Sequence, residues 1–197
     1  MQTKQIKVWD PFIRVFHWTL VLAFLVSYIT EDDFMRVHAY SGYLILGLVG
    51  LRLLWGLVGG RYARFSNFLY TPAETIAYLK DVASFRAKRH IGHNPAGGAM
   101  ILALLVSLSM TLFFGLLTYG AMEYAGPLAG ITAGVGDSMA HGFKEVHEFF
   151  ANFTLMLVLL HVLGVLVASM QHGENLVRSM VTGTKELHSA EDLEVKS

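Results

Sequence analysis

Four long apolar runs dominate the hydrophobic pattern of this chain. They extend from Val15 to Ile29, from Ala39 to Val58, from Ala96 to Tyr119 and from Phe149 to Met170. The first extends back to Pro11 if Arg14 snorkels, and the second contains one charge, Arg52. About 20 helical residues cross a hydrocarbon layer about 30 Å thick. The pattern therefore predicts four membrane-spanning helices, with no further apolar run to support a fifth.

The connection between the second and third runs, from Gly59 to Pro95, is too long for a bare turn. It contains Thr71-Pro72-Ala73-Glu74, in which Thr71 can cap a helix while Glu74 reaches back to it. One face of that helix is apolar and consists of Ile76, Leu79, Val82 and Ala83. We expect an all-α membrane protein, a bundle of four transmembrane helices with a short amphipathic surface helix between spans two and three.

Composition supports the membrane assignment and restricts the chemistry. The 197 residues are 54% hydrophobic and 15% charged, whereas soluble domains carry about 25% charged residues. The formal net charge of +0 leaves no basic excess to bind nucleic acid. The chain has no cysteine, so it cannot form disulfides, iron–sulfur clusters or thiolate metal sites, and it cannot attach a c-type haem covalently.

Lysine and arginine are concentrated on one side of the predicted spans. Residues 1–14 contain Lys4, Lys7 and Arg14, the long connection contains six further cations, and the opposite loops contain only Arg36 and Lys144. The positive-inside rule then places both termini in the cytoplasm. The first run ends without the paired small residues of a signal-peptidase site, so we interpret it as a span. Residues 1–185 are predicted to form a single domain and 186–197 a flexible C-terminal tail.

Four histidines lie within or at the edges of the spans. His147 and His161 are 14 residues apart, so they lie within about 40° of one helix face and about 21 Å apart along its axis. Depth in the membrane pairs His161 with His17 toward the cytoplasm and His147 with His38 toward the outside. Neutral imidazoles that bridge helices are the alternative. Two bis-histidine sites, one above the other, suit two six-coordinate haems.

Four cations lie near these predicted haem sites. Arg52 follows His38 by 14 residues and so falls near the depth of the inner pair. Arg14 flanks the inner site, and Arg36 and Lys144 flank the outer site. Each is a candidate partner for a haem propionate or a quinone oxygen, and the alternative is an interfacial anchor. His90, His93 and His172 are assigned to cytoplasmic loops and not to ligand positions.

The order and spacing of several motifs resemble the bacterial cytochrome b561 group, which includes the b-type cytochrome subunits of nickel–iron hydrogenases. The resemblance covers about Val8 to Lys185. It rests on Trp9-Asp10-Pro11, Arg14-Val15-Phe16-His17-Trp18, His38 with Gly42, Arg52-Leu53-Leu54-Trp55, Gly92-His93-Asn94-Pro95, the 14-residue spacing of His147 and His161, Gly173-Glu174-Asn175-Leu176 and Gly183-Thr184-Lys185.

The resemblance implies a four-helix bundle in the bacterial inner membrane with two haem b groups, ligated by His17, His38, His147 and His161. It also implies quinone-linked electron transfer with a periplasmic partner, which is a c-type cytochrome, a hydrogenase or superoxide itself. We therefore expect a membrane electron carrier in contact with lipid, a quinone or quinol, and a periplasmic redox protein such as a c-type cytochrome. A homodimer is compatible with the same features.

Three other functions compete with this expectation. A superoxide oxidase would use Arg36 and Lys144 to steer the anion toward the outer haem. A metal transporter would use the membrane histidines as ligands, although spans one, three and four have no carboxylates in their apolar cores. A purely structural anchor would leave the four depth-matched histidines without a purpose.

Overall fold

The computed structural model describes residues 5–31 and 33–187. In this part of the chain the elements, in order, are β1 (Gln5–Lys7), α1 (Pro11–Ile29), α2 (Met35–Val58), a 3-10 turn (Phe65–Asn67), α3 (Pro72–Ala83), α4 (Pro95–Met122), α5 (Ala129–Thr132), α6 (Asp137–His172), α7 (Leu176–Thr182) and β2 (Thr184–Glu186). About 73% of the structure is helical. The prediction of an all-α membrane bundle is confirmed.

The four helices long and apolar enough to span a membrane, within the described residues, are α1, α2, α4 and α6. α6 has 36 residues, about 54 Å at 1.5 Å per residue, and it begins twelve residues before the predicted start at Phe149. Its first three turns are polar, and a hydropathy pattern detects the apolar part of a helix and not the whole helix. His147 and Lys144 therefore belong to one continuous helix.

The surfaces of these helices are apolar. Ile29, Leu57 and Val58 are 77%, 70% and 78% exposed. Leaving such side chains in water forgoes about 1.5–3 kcal/mol each relative to burial. Lipid is therefore the medium that suits these faces, and the chain associates with it.

The predicted helix between spans two and three is present as α3. The Thr71 hydroxyl accepts from the Glu74 amide at 3.2 Å, and the Glu74 carboxylate accepts from the Thr71 amide at 2.7 Å. These bonds from Thr71 lower the pKa of Glu74. Tyr78 is the buried residue of α3 and donates its hydroxyl to the Lys88 carbonyl at 3.3 Å. The capping box starts the helix, and Tyr78 fixes it to the loop that follows.

Three short elements were not predicted. β1 and β2 pair antiparallel, with Ile6 opposite Lys185, and α7 ends at Gly183, which has a φ of 83°. The single-turn helix α5 and the 3-10 turn at Phe65–Asn67 were not predicted either. Elements of three to seven residues are too short to show a hydrophobic period. Of the predicted tail, only Glu186 and Leu187 lie within the described residues.

The chain divides into two compact units. The first unit consists of Met1–Thr19, Leu51–Met100 and His161–Ser197, and the second of Leu20–Gly50 and Ile101–Leu160. The second unit has a core of Ala23, Ile45, Val49 and Leu108. Each of α1, α2, α4 and α6 contributes one part to each unit. His17 and His161 therefore belong to the first unit, and His38 and His147 to the second.

A buried polar bridge joins α4 and α6 in the second unit. The hydroxyls of Ser107 and Thr154 lie 2.7 Å apart, and both residues are 1% exposed. Each hydroxyl supplies the partner that the other lacks in an apolar medium. The bridge fixes the register of α6 against α4 two turns from His147.

Candidate functional site

The second unit brings His38 of α2 and His147 of α6 together. Their ring centres are 6.0 Å apart, and the ring planes are nearly perpendicular at 83°. His38 lies in the first turn of α2, and His147 lies three turns into α6. Both rings are partly buried. The pair is thus formed by residues 109 positions apart in the sequence.

Backbone carbonyls orient both of these rings. His38 Nδ1 lies 2.9 Å from the carbonyl oxygen of Ser27, and His147 Nδ1 lies 2.8 Å from that of Thr111. Because a carbonyl oxygen only accepts, each Nδ1 must carry the proton and donate it. The Nε2 lone pair of each ring is then free to bind a metal, which is the usual arrangement of a metal-ligating histidine.

Gly115 of α4 makes room for the His147 ring. A Cβ added at Gly115 would lie 2.9 Å from both Cε1 and Nδ1 of His147. That separation is shorter than real Cβ contacts, so a side chain at this position would displace the imidazole. The absence of a side chain at Gly115 thus permits the position of the ring.

The first unit brings His17 of α1 and His161 of α6 together. Their ring centres are 6.4 Å apart at an interplanar angle of 57°. His17 Nδ1 is buried and has no hydrogen-bond partner in the described part of the chain. The two pairs therefore have similar spacings. Unlike His38 and His147, however, His17 has no backbone carbonyl bound to its Nδ1.

Both spacings suit a metal between the rings. Two imidazoles bound on opposite sides of one ion have ring centres about 6 Å apart, since a metal–imidazole bond is about 2 Å long. The structure brings together the two pairs that depth predicted, His17 with His161 and His38 with His147. Their role as haem ligands stays a prediction, and the residues fit it.

Arg52 is a buried cation of the first unit. It is 4% exposed, and its guanidinium carbon lies 4.8 Å from the Phe65 ring centre. Nη2 donates to the Ala63 carbonyl at 3.1 Å, while Nη1 is buried without a partner among the described residues. Arg52 does not snorkel to an exposed position. It retains one unused donor suited to a carboxylate or a quinone oxygen.

Arg14 lies one helical turn before His17 on α1. Its Nη1 donates to the Val181 carbonyl at 2.8 Å. The guanidinium is thus held against the C-terminal end of α7, where it also lies close to Gly183. Whether Arg14 pairs with a propionate or a quinone stays a prediction.

His93 lies in the loop to which the sequence assigned it, but its ring is enclosed by aromatic side chains there. The ring lies between Trp9 and Phe68, at centroid distances of 4.6 and 4.7 Å. Burial first, and then the positive charges of Arg52 and Lys185, lower the pKa of His93 to about 3. Its Nδ1 is buried without a partner in the described chain. The only sequence signal was its place in Gly92-His93-Asn94-Pro95.

The two cations expected to flank the outer pair are both exposed. Lys144 lies 3.4 Å from Glu148, four residues later on α6. Arg36 precedes His38 by two residues, and positions two apart on a helix do not face each other. Neither placement favours a specific partner, and Glu148 offsets the charge with which Lys144 would attract superoxide.

The described residues lack a cluster of side chains that could hold a free metal ion. Residues 5–31 and 33–187 contain no group of three or more histidine or carboxylate side chains that could hold a metal ion. The histidines instead occur in pairs, which suits a metal that brings its own equatorial ligands, as haem iron does.

The chain matches a known protein family over most of its length. No curated protein matches the chain, and neither does any solved structure. The family model described as prokaryotic cytochrome b561 matches residues 8–183, which include both histidine pairs, Arg52 and His93. The match confirms the resemblance seen in the sequence. The chain therefore belongs to the prokaryotic cytochrome b561 family and is a multi-pass membrane b-type cytochrome of electron transfer.

Proposed function

We propose that this cytochrome carries two b-type haems, one held by His38 and His147 and the other by His17 and His161. It passes electrons between a periplasmic redox protein, such as a c-type cytochrome, and the quinone pool of the bacterial inner membrane. The observation that carries the proposal is the spacing of the two histidine pairs, 6.0 and 6.4 Å between ring centres.

The residues around each pair have distinct tasks. A bound haem supplies a reversible one-electron site. Two histidines per haem leave no open position for oxygen to bind. The carbonyls of Ser27 and Thr111 hold the rings of the second unit in one tautomer and one orientation. The protein thereby favours electron transfer over oxygen chemistry.

Arg52 and His93 are two residues of the first unit with buried polar atoms. Both approach Phe68, Arg52 at 6.0 Å and His93 at 4.7 Å from its ring centre. Each also has one buried nitrogen without a partner among the described residues. We assign these nitrogens to a propionate or a quinone oxygen, because either would satisfy a buried donor that otherwise costs about 1–3 kcal/mol.

The proposed orientation places both termini in the cytoplasm. The connection between α2 and α4 contains Arg61, Arg64, Arg86, Lys88 and Arg89 among its cations, whereas Arg36 and Lys144 are the cations of the other side. The pair predicted toward the cytoplasm, His17 with His161, would then exchange electrons with the quinone pool. The pair predicted toward the outside, His38 with His147, would exchange them with the periplasmic partner.

Haem stoichiometry tests the proposal. Purified protein should contain two haem b per chain by pyridine haemochrome, with low-spin α bands in the reduced-minus-oxidised spectrum. His147→Ala and His161→Ala should each lose one haem, and different α-band components should disappear. His141→Ala is the matched control, since His141 is an exposed histidine of the same helix. A full complement of haem in both ligand variants would refute the assignment.

The electron partners need a separate measurement. Quinol should reduce the haems of protein in liposomes, and a periplasmic c-type cytochrome should reoxidise them. Superoxide consumption that depends on added quinone, with no exchange with the c-type cytochrome, would favour the superoxide oxidase alternative. These assays distinguish the partner after the haem content has been established.

A further inference from the structure

A cavity of about 400 Å³ lies in the first unit, apart from both histidine pairs. Its walls come from the end of β1, the start of α1, the segment 60–62 after α2, and the C-terminal end of α7. The volume is in the range of small-ligand sites, about 300–1,000 Å³. None of the four proposed haem ligands lines this cavity.

The lining of the cavity carries excess positive charge. Lys7, Arg14 and Arg61 line it together with one carboxylate, Asp10. Within the described residues, no ion pair involves any of these three cations. Three cations around one cavity, opposed by a single anion, favour the binding of a further anion.

Asp10 is already bound to the protein. One carboxylate oxygen accepts from the Ile13 amide at 2.9 Å, and the other accepts from the Trp55 indole at 3.1 Å. The carboxylate thus caps α1 and fixes Trp55. Its oxygens are engaged by neutral donors and are not directed to the cations that line the cavity.

Arg14 contributes a second, independent sign of a ligand. Its Nη1 donates to the Val181 carbonyl at 2.8 Å, which fixes the guanidinium. Its Nε is buried and has no acceptor among the described residues. A buried N–H without an acceptor is costly, and an oxygen of a bound anion would satisfy it.

The position of the cavity points to a lipid as the source of the anion. It lies where α1 begins, at Pro11, so the polar segment meets the first apolar span there. Trp9 and Tyr62 also line it, and these residue types concentrate at membrane interfaces. Farther along α1, Val15 and Leu22 are 67% and 65% exposed, an apolar surface along which acyl chains can lie.

We infer that this cavity binds the phosphate headgroup of an anionic phospholipid. Lys7, Arg14 and Arg61 supply the positive charge, and the Nε of Arg14 donates a hydrogen bond to a phosphate oxygen. Basic pockets beside spanning helices bind acidic headgroups in this way. Removal of one cation should weaken binding about fivefold. The inference is independent of the number of haems.

Lipid retention tests the inference. The haem-loaded protein is reconstituted in nanodiscs of phosphatidylglycerol and phosphatidylcholine, and native mass spectrometry counts the lipids that stay bound after release. Arg61→Gln and Lys7→Gln should each retain about fivefold less phosphatidylglycerol. Arg64→Gln is the matched control, because Arg64 is an exposed arginine of the same loop that does not line the cavity.

Either of two results would overturn the inference. One is an equal loss of phosphatidylglycerol in Arg61→Gln and Arg64→Gln, which would show that only overall charge matters. The other is displacement of the lipid by millimolar inorganic phosphate, which would make a free phosphate the occupant. The visible spectrum of each variant confirms that it is folded, and Lys7→Gln replaces Arg61→Gln if the latter is not.

Discussion

The two units hold similar histidine pairs in different ways. In the second unit, Ser27 and Thr111 accept hydrogen bonds from the Nδ1 atoms of His38 and His147. In the first unit, His17 Nδ1 is buried without a partner among the described residues. Backbone carbonyls therefore orient His38 and His147 in the absence of a haem. No such hydrogen bond orients the His17 ring in the described chain.

The same difference extends to the rest of each unit. Every buried side-chain nitrogen or oxygen that lacks a partner in the described chain belongs to the first unit. These atoms lie on Arg14, His17, Arg52, His93, Gln171 and His172. Each such group costs about 1–3 kcal/mol if it stays unsatisfied. The first unit thus contains the buried polar atoms that a group from outside the chain could satisfy.

Gly115→Ala should have the largest effect and should damage only the second unit. The added Cβ would lie 2.9 Å from the His147 ring, so the imidazole must move away from His38. We expect the loss of most of one haem per chain, measured by pyridine haemochrome, with the haem of the first unit retained. Gly47→Ala on α2 is the control, because a Cβ there meets nothing within 4 Å. An unchanged haem content would contradict the preorganised second site.

His93→Phe should remove an acid sensitivity of the first unit. The pKa of His93 is about 3 in the folded protein and about 6.5 in the unfolded chain. The unfolded state therefore binds the proton first as the pH falls below about 6.5, and folding stability decreases down to about pH 3 by as much as a few kcal/mol. Above pH 7 the residue contributes no pH dependence.

Thermal unfolding in detergent at pH 7 and pH 4 measures this effect. The difference between the two midpoints should be smaller in His93→Phe than in the wild type, because phenylalanine fits between Trp9 and Phe68 without titrating. His141→Phe serves as the exposed control. Equal pH sensitivity in all three proteins would argue against a buried neutral His93.

Arg52→Leu should lower the midpoint potential of one haem only. A nearby cation stabilises the reduced haem, because ferrous iron carries one positive charge fewer than ferric iron. Removal of the Arg52 charge therefore favours the oxidised haem. We expect a decrease of roughly 30–60 mV, where 59 mV corresponds to a tenfold change for one electron. Reduction by quinol should also slow. Arg52→Lys, which keeps the charge, is the control, and unchanged potentials and kinetics in Arg52→Leu would exclude a role at the haem or quinone.

Lys144→Gln should have the smallest effect of the four substitutions. Lys144 and Glu148 are about half exposed in their ion pair, and such surface pairs contribute about 0–1 kcal/mol. Haem content should stay at the wild-type value, and the midpoint potentials should shift less than in Arg52→Leu. Glu148→Gln provides the reciprocal control. A shift as large as that of Arg52→Leu would place Lys144 at a haem despite its exposure.

The spans and the surface helix could be predicted because each depends on local pattern. An apolar run of about 20 residues is long enough to cross a membrane, and the pattern from Thr71 to Glu74 is the signature of a capping box at a helix start. The histidine pairs could be predicted because depth along a straight helix follows from residue count alone. The ends of α6 could not, since its polar first turns carry no hydropathy signal.

His93 lies in a loop, as the sequence predicted, but the burial of its ring could not be predicted because its surroundings come from distant segments. Trp9 and Phe68 precede it by 84 and 25 residues, and only the folded loop brings them to its ring. Gly115 and His147 are another such case. Their contact depends on how α4 and α6 are rotated about their own axes. The rotation cannot be read from the sequence, because the helix faces that contact lipid and those that contact other helices are both apolar.

The sequence alone determined the class of protein, the number of spans, which histidines pair with each other and the family. These properties follow from composition, from a rise of 1.5 Å per residue and from motif order. The tertiary structure alone decided which carbonyls orient His38 and His147, which cations are buried, and where the cavity of the first unit lies. Those properties depend on lateral contacts between segments far apart in the chain, and such contacts leave no periodic signal in the sequence.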